Sequence, residues 1–376
     1  MTATTTTTTT TTTADNHHHQ ASLPIVSLAQ WGTADGNELQ RQEMANQVRD
    51  ICHTTGFFLL QDHGISVDFI CSMFHMSQQL FALPLETKYR IDKKHSPHFR
   101  GWECEGSERT NNRPDHREQV DLWTEHPVHE TNDQEPNYLR LLGPNRWFGD
   151  PSVVPGFRDR MSRWFHETER VADRLMEILA VGLGLDPHHF DRHVFGDPNR
   201  RMSLTKLIRY PPSPVGGAGV NAHHDTGFLT LLACRTAPGL QVEMDDGSWM
   251  NVTPPTDDTL VVNLGEMLQA MTGNYYVATS HRVIVREEGE RYAIGYFHGP
   301  SLDTELSPLT LDETYHEAVR KSRRHAKAGF MASREETVAG VGDMKSVHRA
   351  KTYGEQLWNY FRRSYPENMA RHYPDR

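Results

Sequence analysis

The spacing of hydrophobic positions changes along this chain, from helical patterns in the first half to short strand-like runs in the second. Apolar residues recur near the 3.6-residue period of a surface helix over Glu38–His53 and again over Val67–Leu83. A longer helical pattern covers Pro155–Leu183 and predicts a helix that packs across a sheet. A last helix is predicted around Tyr353–Tyr365.

Short apolar runs separated by proline and glycine predict β-strands. Three of them, Leu23–Leu28, Gly56–Leu60 and Glu118–Trp123, lie in the first half of the chain. From Leu204 onwards the predicted strands follow one another closely: Leu204–Tyr210, Gly227–Cys234, Gly239–Glu243, Trp249–Val252, Thr259–Leu264, Tyr276–Ser280, His281–Arg286 and Arg291–Phe297. This density of short strands is typical of an all-β sandwich or barrel, and a double-sheet jelly roll is one such architecture.

Composition excludes some classes of protein. The chain of 376 residues has a net charge of -10, whereas a general nucleic-acid binder would carry a basic face. Four scattered cysteines without a CxxC pair favour a reduced, cytoplasmic protein over a disulfide scaffold. No apolar run approaches the roughly 20 residues of a membrane span. Residues 1–21, a threonine tract followed by three histidines, are expected to form a disordered tail.

The stretch Asn221–Leu232 carries the clearest chemical signal. His223 and Asp225 stand two positions apart, just ahead of an apolar run. If the stretch is extended, their side chains point to one face while His224 points away. One nitrogen and one oxygen donor make two thirds of the 2-His-1-carboxylate triad of non-haem iron oxygenases. His281, which opens a later strand-like run, is the predicted third ligand.

Arg291 heads the apolar run that follows His281 along the chain. A buried arginine needs a partner, and its planar guanidinium matches a carboxylate through two parallel hydrogen bonds. The residues alone leave two interpretations open: an internal ion pair with a protein carboxylate, or a contact with the carboxylate of a ligand. The nearby candidate iron site favours the ligand. If His281 and Arg291 lie on neighbouring antiparallel strands, both can face the interior of a barrel.

These motifs, in this order, resemble those of the iron(II)- and 2-oxoglutarate-dependent dioxygenases of the isopenicillin-N-synthase-like superfamily. Leu23–Val26 and Gly56–Ile65 are similar to the amino-terminal region of that family, and His223–Leu232, Asn263–Leu268 and Thr279–Val283 to its metal-binding core. The resemblance implies a mainly β fold with flanking helices, in which a double-stranded β-helix (jelly roll) core has an α-helical buttress. It also implies a division into an amino-terminal dioxygenase region (22–150), a buttress-helix region (151–200), the jelly-roll core (201–302) and a carboxyl-terminal helical extension (303–376).

The resemblance also implies roles for the candidate site residues. His223, Asp225 and His281 would bind Fe(II), and Arg291 would hold the distal carboxylate of 2-oxoglutarate. O2 would be the second cosubstrate and ascorbate a candidate reductant. The expected reaction is the oxidation, foremost hydroxylation, of a small polar metabolite with release of succinate and CO2. The chain departs from the family at Ala293, where a serine usually joins the arginine at the carboxylate.

The chain is also similar to the bacterial ethylene-forming enzymes of this superfamily, with which it shares an Arg-aromatic-Ala pattern and related carboxyl-terminal segments. Lys206 and Arg363 fall where that subgroup has arginines that contact its co-substrate, whereas Thr226 replaces a tyrosine. We therefore expect Lys206 and Arg363 to contribute to substrate binding. Tyr210 and Asn263 are expected either to line the pocket or to act as structural hydrogen bonders.

Other interpretations stay open on the sequence alone. An iron oxidase that works without 2-oxoglutarate, or an ethylene-forming activity, would use the same metal ligands. A metal-binding protein without turnover is a third alternative, and a zinc hydrolase of the HExxH type lacks its helical histidine pair here. The polar loop after Gly101 offers Glu103, Glu105 and Glu108 either as substrate contacts or as solvated carboxylates. The oligomeric state is not predicted.

Overall fold

The computed structural model describes residues 22–31, 37–110, 113–214, 216–322 and 351–375, so the predicted tail at 1–21 lies outside the described residues. The strands, in chain order, are β1 (Ile25–Ser27), β2 (Phe57–Gln61), β3 (Gly101–Glu103), β4 (Arg109–Thr110), β5 (Arg113–Pro114), β6 (Glu118–Trp123), β7 (Leu204–Tyr210), β8 (Ala218–His223), β9 (Leu229–Ala233), β10 (Leu240–Glu243), β11 (Trp249–Val252), β12 (Leu260–Leu264), β13 (His281–Ile284) and β14 (Arg291–His298).

Most of these strands form two sheets. The larger, eight-stranded sheet has the order β1-β2-β12-β9-β14-β7-β6-β3, and the smaller, four-stranded sheet has the order β11-β10-β13-β8. The pair β1–β2 is parallel, and the other pairs described in these sheets are antiparallel. Strands β4 and β5 form a separate short hairpin.

The helices flank the sheets as predicted. They are α1 (Glu38–Thr54), α2 (Val67–Phe81), α3 (Leu85–Lys88), α4 (Phe157–Gly182), α5 (Glu266–Met271), α6 (Glu313–Lys321), α7 (Tyr353–Ser364) and α8 (Pro366–His372). Side chains that accept hydrogen bonds from the first turn, Asn37 for α1 and Ser66 for α2, fix where these helices begin. None of the described helices combines the length and the apolar character needed to span a bilayer.

The larger sheet is covered on both faces, which explains its unbroken apolar strands. In β12 all five residues are buried, because one face packs against the helices and the other faces the smaller sheet. Ile208, Val261 and Ala293 of the larger sheet meet Val220 and Leu240 of the smaller sheet in this interior. The two facing sheets, with α4 packed across the outer face, form the predicted jelly-roll core with its helical buttress.

One predicted strand was wrong. The segment Tyr276–Ser280 is largely buried but forms no ladder with any strand in the described part of the chain. The Tyr276 hydroxyl donates to Leu179 O of α4 at 3.0 Å, and Val277 N donates to Cys52 O of α1 at 3.0 Å. The segment is apolar because it packs on helices, and only its last residue meets a strand, where Ser280 O accepts from Glu243 N of β10 at 2.9 Å.

Candidate metal and cosubstrate site

Three side chains with metal-ligand chemistry converge beside the smaller sheet. His223 ends β8, His281 begins β13, and the two residues are directly paired across these strands. Their Nε2 atoms lie 3.6 Å and 3.7 Å from Asp225 Oδ1. One potential ligand atom from each of the three residues lies within 4.8 Å of the others. This arrangement allows all three side chains to bind a single ion.

Asp225 lies just beyond the end of β8. That strand ends at His223, and residues 224–228 form the connection to β9 in the larger sheet. The side chains of His223 and Asp225 converge as the sequence predicts, with Nε2 and Oδ1 3.6 Å apart, although only His223 lies within a strand.

Backbone carbonyls fix the tautomer of both histidines. His223 Nδ1 lies 2.8 Å from Asn221 O, and His281 Nδ1 lies 3.1 Å from Thr279 O. A carbonyl oxygen can only accept, so each Nδ1 carries a proton and Nε2 is the nitrogen that can offer a lone pair to a metal. Burial, assisted by repulsion from His223, lowers the pKa of His281 to about 4. The lowered pKa favours the neutral form of His281, and metals bind that form of imidazole.

The carboxylate of Asp225 is oriented by two donors. Thr230 Oγ1 and Asn263 Nδ2 donate to Oδ2 at 2.6 Å and 2.7 Å, which leaves Oδ1 facing the histidines. Burial raises the pKa of Asp225, but the nearby His281, together with His223 and Asn263, holds it well below its usual range. Asn263 is thus a hydrogen-bonding partner of the candidate metal ligand Asp225. Thr230 was missed, because a threonine within a strand is common and does not by itself indicate a role beside a metal ligand.

Arg291 is a buried cation with no anionic partner among the described residues. It is 1% exposed, and none of its three guanidinium nitrogens has a hydrogen-bond partner among the described residues. Its guanidinium carbon lies 5.0 Å from the ring centroid of Tyr210, its neighbour on β7. Burial raises the pKa of the Cys234 thiol, and the adjacent charge of Arg291 opposes that rise. An uncompensated buried charge costs several kcal/mol, so the position fits a carboxylate that a ligand supplies.

His281 and Arg291 occupy opposite sheets. Strand β13 belongs to the smaller sheet and β14 to the larger one, so the prediction that they are neighbouring strands was wrong. A Cβ atom built on Gly239, just before β10 of the smaller sheet, would lie 3.4 Å from Arg291 Cδ. The side chain of Arg291 therefore reaches from the larger sheet toward the smaller one, inside the jelly roll.

Two residues predicted to bind substrate have other surroundings. Lys206 is buried, and its Nζ lies 3.0 Å from Glu108 Oε2 and 3.1 Å from Asp121 Oδ2. Its charge is therefore already compensated by two carboxylates. Arg363 is exposed on α7. A role for either residue at the substrate stays a prediction.

Two of the three carboxylates in the acidic loop after Gly101 form ion pairs inside the protein. Glu103 forms a buried ion pair with Lys93, and Glu108 lies 2.9 Å from Arg117 as well as close to Lys206. The interpretation as solvated side chains was therefore wrong for Glu103 and Glu108. Glu105 is 43% exposed at its side chain and lies beside His116.

Comparison with known proteins identifies the family. Residues 23–150 match the family described as non-haem dioxygenase in morphine synthesis N-terminal, and residues 198–300 match the 2OG-Fe(II) oxygenase superfamily. The 2-oxoglutarate-dependent dioxygenase thnC of Trichoderma harzianum is 31% identical over 86% of this chain and 98% of its own length. The chain belongs to the 2OG-Fe(II) oxygenase superfamily.

Further relatives of this oxygenase agree. The 2-oxoglutarate-dependent dioxygenase frbJ of Dothideomycetidae sp. is 34% identical over 71% of this chain and 73% of its own length. The crystal structure of full-length T7H of Neurospora crassa in complex with alpha-KG superposes with a TM-score of 0.65 at 25% identity, covering 83% of this chain and 93% of T7H.

The oxygenase is thus a 2-oxoglutarate-dependent dioxygenase, and the predicted fold class, enzyme class, Fe(II) and 2-oxoglutarate are confirmed. The donors in the structure fit these groups. Two imidazoles and one carboxylate are the ligands of non-haem Fe(II) sites, and Arg291 is a cation with no carboxylate partner among the described residues. The likeness to ethylene-forming enzymes stays a prediction.

Proposed function

We propose that His223, Asp225 and His281 bind the Fe(II) of this oxygenase and that Arg291 binds the distal carboxylate of 2-oxoglutarate. The observation that carries the proposal is the state of Arg291. Its guanidinium group is buried between the sheets, and every nitrogen of it lacks a hydrogen-bond partner among the described residues. A dicarboxylate could bind the metal through one carboxylate and accept hydrogen bonds from the guanidinium group of Arg291 through the other.

When bound, iron, 2-oxoglutarate and O2 supply the oxidising chemistry and release succinate and CO2. The residues of the chain provide binding and orientation. Hydrogen bonds from Nδ1 hold the rings of His223 and His281, while Thr230 and Asn263 leave one oxygen of Asp225 free. The apolar side chains that fill the interior between the sheets exclude water from the cosubstrate.

We propose further that the substrate is a small polar molecule and that hydroxylation is the outcome. A series of contacts between charged residues supports a polar substrate. It links Glu108, Arg117 and Asp115 to Asn221, which stands two positions before His223. Charged and amide side chains therefore lie close to the metal ligands. All four cysteines are free, as is usual in a reducing compartment, and the proposal places the protein in the cytoplasm.

The test is an anaerobic titration of the Fe(II)-loaded protein with 2-oxoglutarate, followed by visible absorption. We expect a metal-to-ligand charge-transfer band that saturates with 2-oxoglutarate in the wild type and is lost in His281→Ala. A wild type that binds Fe(II) but develops no band would overturn the assignment of the cosubstrate site. A screen of small polar metabolites, read out as succinate formed per substrate consumed, then tests the substrate class.

A further inference from the structure

Asp115 is a fully buried carboxylate directly after the β4–β5 hairpin, and it is 0% exposed. Its Oδ2 accepts a hydrogen bond from Thr110 Oγ1 at 2.7 Å and another from Arg117 at 3.1 Å. Its backbone N–H donates to Glu108 O at 3.0 Å. A buried carboxylate is tolerated only where donors surround it, so this one has a fixed place and orientation.

The other oxygen of Asp115 faces β8, the strand that carries a metal ligand. Asp115 Oδ1 accepts from Asn221 Nδ2 at 3.2 Å and from Asn221 N at 3.5 Å. The carbonyl oxygen of Asn221 in turn accepts from His223 Nδ1 at 2.8 Å. The amide groups of Asn221 are therefore held by the Asp115 carboxylate, and its carbonyl group orients the imidazole ring of His223.

A set of buried charges anchors Asp115. Arg117 links it to Glu108, and Glu108 lies 3.0 Å from the Nζ of Lys206 on β7. Burial raises the pKa of Glu108, but Arg117 and Lys206 hold it well below its usual range, so this carboxylate is an anion. Positive and negative side chains thus alternate from Lys206 on the larger sheet to Asp115. If Asp115 moved, several of these contacts would break at once.

We propose that Asp115 is a positioning residue for the metal site, because through Asn221 it fixes the carbonyl group that orients His223. The inference rests on the proposed function, since it requires that His223 binds the metal. Partners that orient a ligating histidine typically change metal affinity by about 10- to 100-fold when they are removed. Asp115 contacts His223 only through Asn221, so we expect its removal to change metal affinity by the lower part of this range, about 10-fold.

The experiment is a titration of the metal-free protein with Co(II), followed by its ligand-field absorption bands, which needs no turnover. Asp115→Asn keeps the size of the side chain but removes the charge that binds both Arg117 and Asn221. We expect Asp115→Asn to weaken Co(II) binding about tenfold and to shift the bands, because the His223 ring is less fixed.

Thr110→Val is the matched control. It removes one hydrogen bond to the Asp115 carboxylate, at Oδ2, the oxygen that faces away from β8. Co(II) affinity should therefore stay within about twofold of wild type. If both variants lose affinity equally, the carboxylate only stabilises the hairpin and the proposal is overturned. A folded Asp115→Asn protein with wild-type affinity and bands overturns it as well.

A second variant covers the case in which Asp115→Asn fails to fold. Asn221→Ala leaves the Asp115–Arg117 pair intact and removes the shorter of the two contacts between Asp115 and β8. Weaker Co(II) binding with shifted bands supports the positioning role, and unchanged binding contradicts it. A wild type that binds no Co(II) would instead overturn the proposed metal site itself, so the two failures are distinguishable.

Discussion

The guanidinium carbon of Arg291 lies 5.0 Å from the ring centroid of Tyr210, and no described residue accepts a hydrogen bond from the guanidinium group. The two residues are in register on the neighbouring strands β14 and β7. A cation–π contact contributes about 0.5–2 kcal/mol, less than the several kcal/mol that an unpaired buried charge costs. The ring therefore supports the side chain in place but leaves its charge to be compensated by a ligand.

Replacing Arg291 should separate cosubstrate binding from stability. Arg291→Leu removes an unpaired buried charge, so the protein without 2-oxoglutarate should be at least as stable as wild type. Wild type should gain about 2.7 kcal/mol at a 2-oxoglutarate concentration 100 times its Kd, whereas the variant should gain almost nothing. Two lost charge-assisted hydrogen bonds should raise the KM for 2-oxoglutarate by about 100-fold or more. Anaerobic thermal unfolding with and without 2-oxoglutarate measures the first effect.

Arg320→Ala provides the control for that measurement, because Arg320 is an exposed arginine on α6 that pairs with Glu313. It should respond to 2-oxoglutarate as wild type does. A protein carrying Arg291→Leu that is still stabilised by 2-oxoglutarate would contradict the assigned role of this arginine.

A substitution at Ala293 should strengthen 2-oxoglutarate binding, where Arg291→Leu weakens it. It is 1% exposed, faces the interior between the sheets and stands two residues after Arg291 on β14. Ala293→Ser adds a hydroxyl donor on the face that Arg291 occupies, and one such bond contributes about 1 kcal/mol. We expect the KM for 2-oxoglutarate to fall about fivefold in steady-state assays. Ala233→Ser, equally buried but facing the helices, should leave this KM unchanged; equal effects of both variants would argue against a local hydrogen bond.

The three proposed metal ligands could be predicted because their signal is local. His223 and Asp225 stand two positions apart before an apolar strand, and His281 opens another. Asp115 and Thr230 carry no such signal, since an aspartate after a proline and a threonine in a strand are common. Their roles depend on which strands meet in space, and that is set by pairing across the sheets.

Strands could be predicted where the apolar run and the sheet coincide. The boundaries of β6, β7 and β11 match the prediction to the residue. The prediction failed at Tyr276–Ser280, because residues buried against helices have the same apolar composition as residues buried in a sheet.

The hydroxyl of Thr230 should matter for metal binding. It donates to Asp225 Oδ2 at 2.6 Å and so helps to present Oδ1 to the metal. Thr230→Val keeps the shape but leaves a buried carboxylate oxygen with one donor fewer, which costs about 1–3 kcal/mol. We expect Fe(II) or Co(II) affinity to fall about tenfold, as measured by anaerobic titration, with a lower midpoint of urea unfolding.

Thr205→Val is the corresponding control, since the buried Thr205 hydroxyl on β7 has no hydrogen-bond partner among the described residues. The same chemical change there should leave metal affinity unchanged and stability unchanged or slightly increased. Equal loss of metal affinity in the two variants would show that the effect is not specific to the bond with Asp225.

Lys206 can be assigned to structure or to substrate by a single substitution. Its ammonium group lies between the buried carboxylates of Glu108 and Asp121, so Lys206→Met breaks one ion pair of each and removes the charge that separates them. Breaking a buried ion pair in this way costs about 3–5 kcal/mol of the free energy of unfolding, which urea denaturation measures. Lys321→Met, on an exposed ion pair with Glu317, should cost less than about 1 kcal/mol. If Lys206 serves the substrate instead, Lys206→Met will unfold at the wild-type urea concentration and will raise the substrate KM.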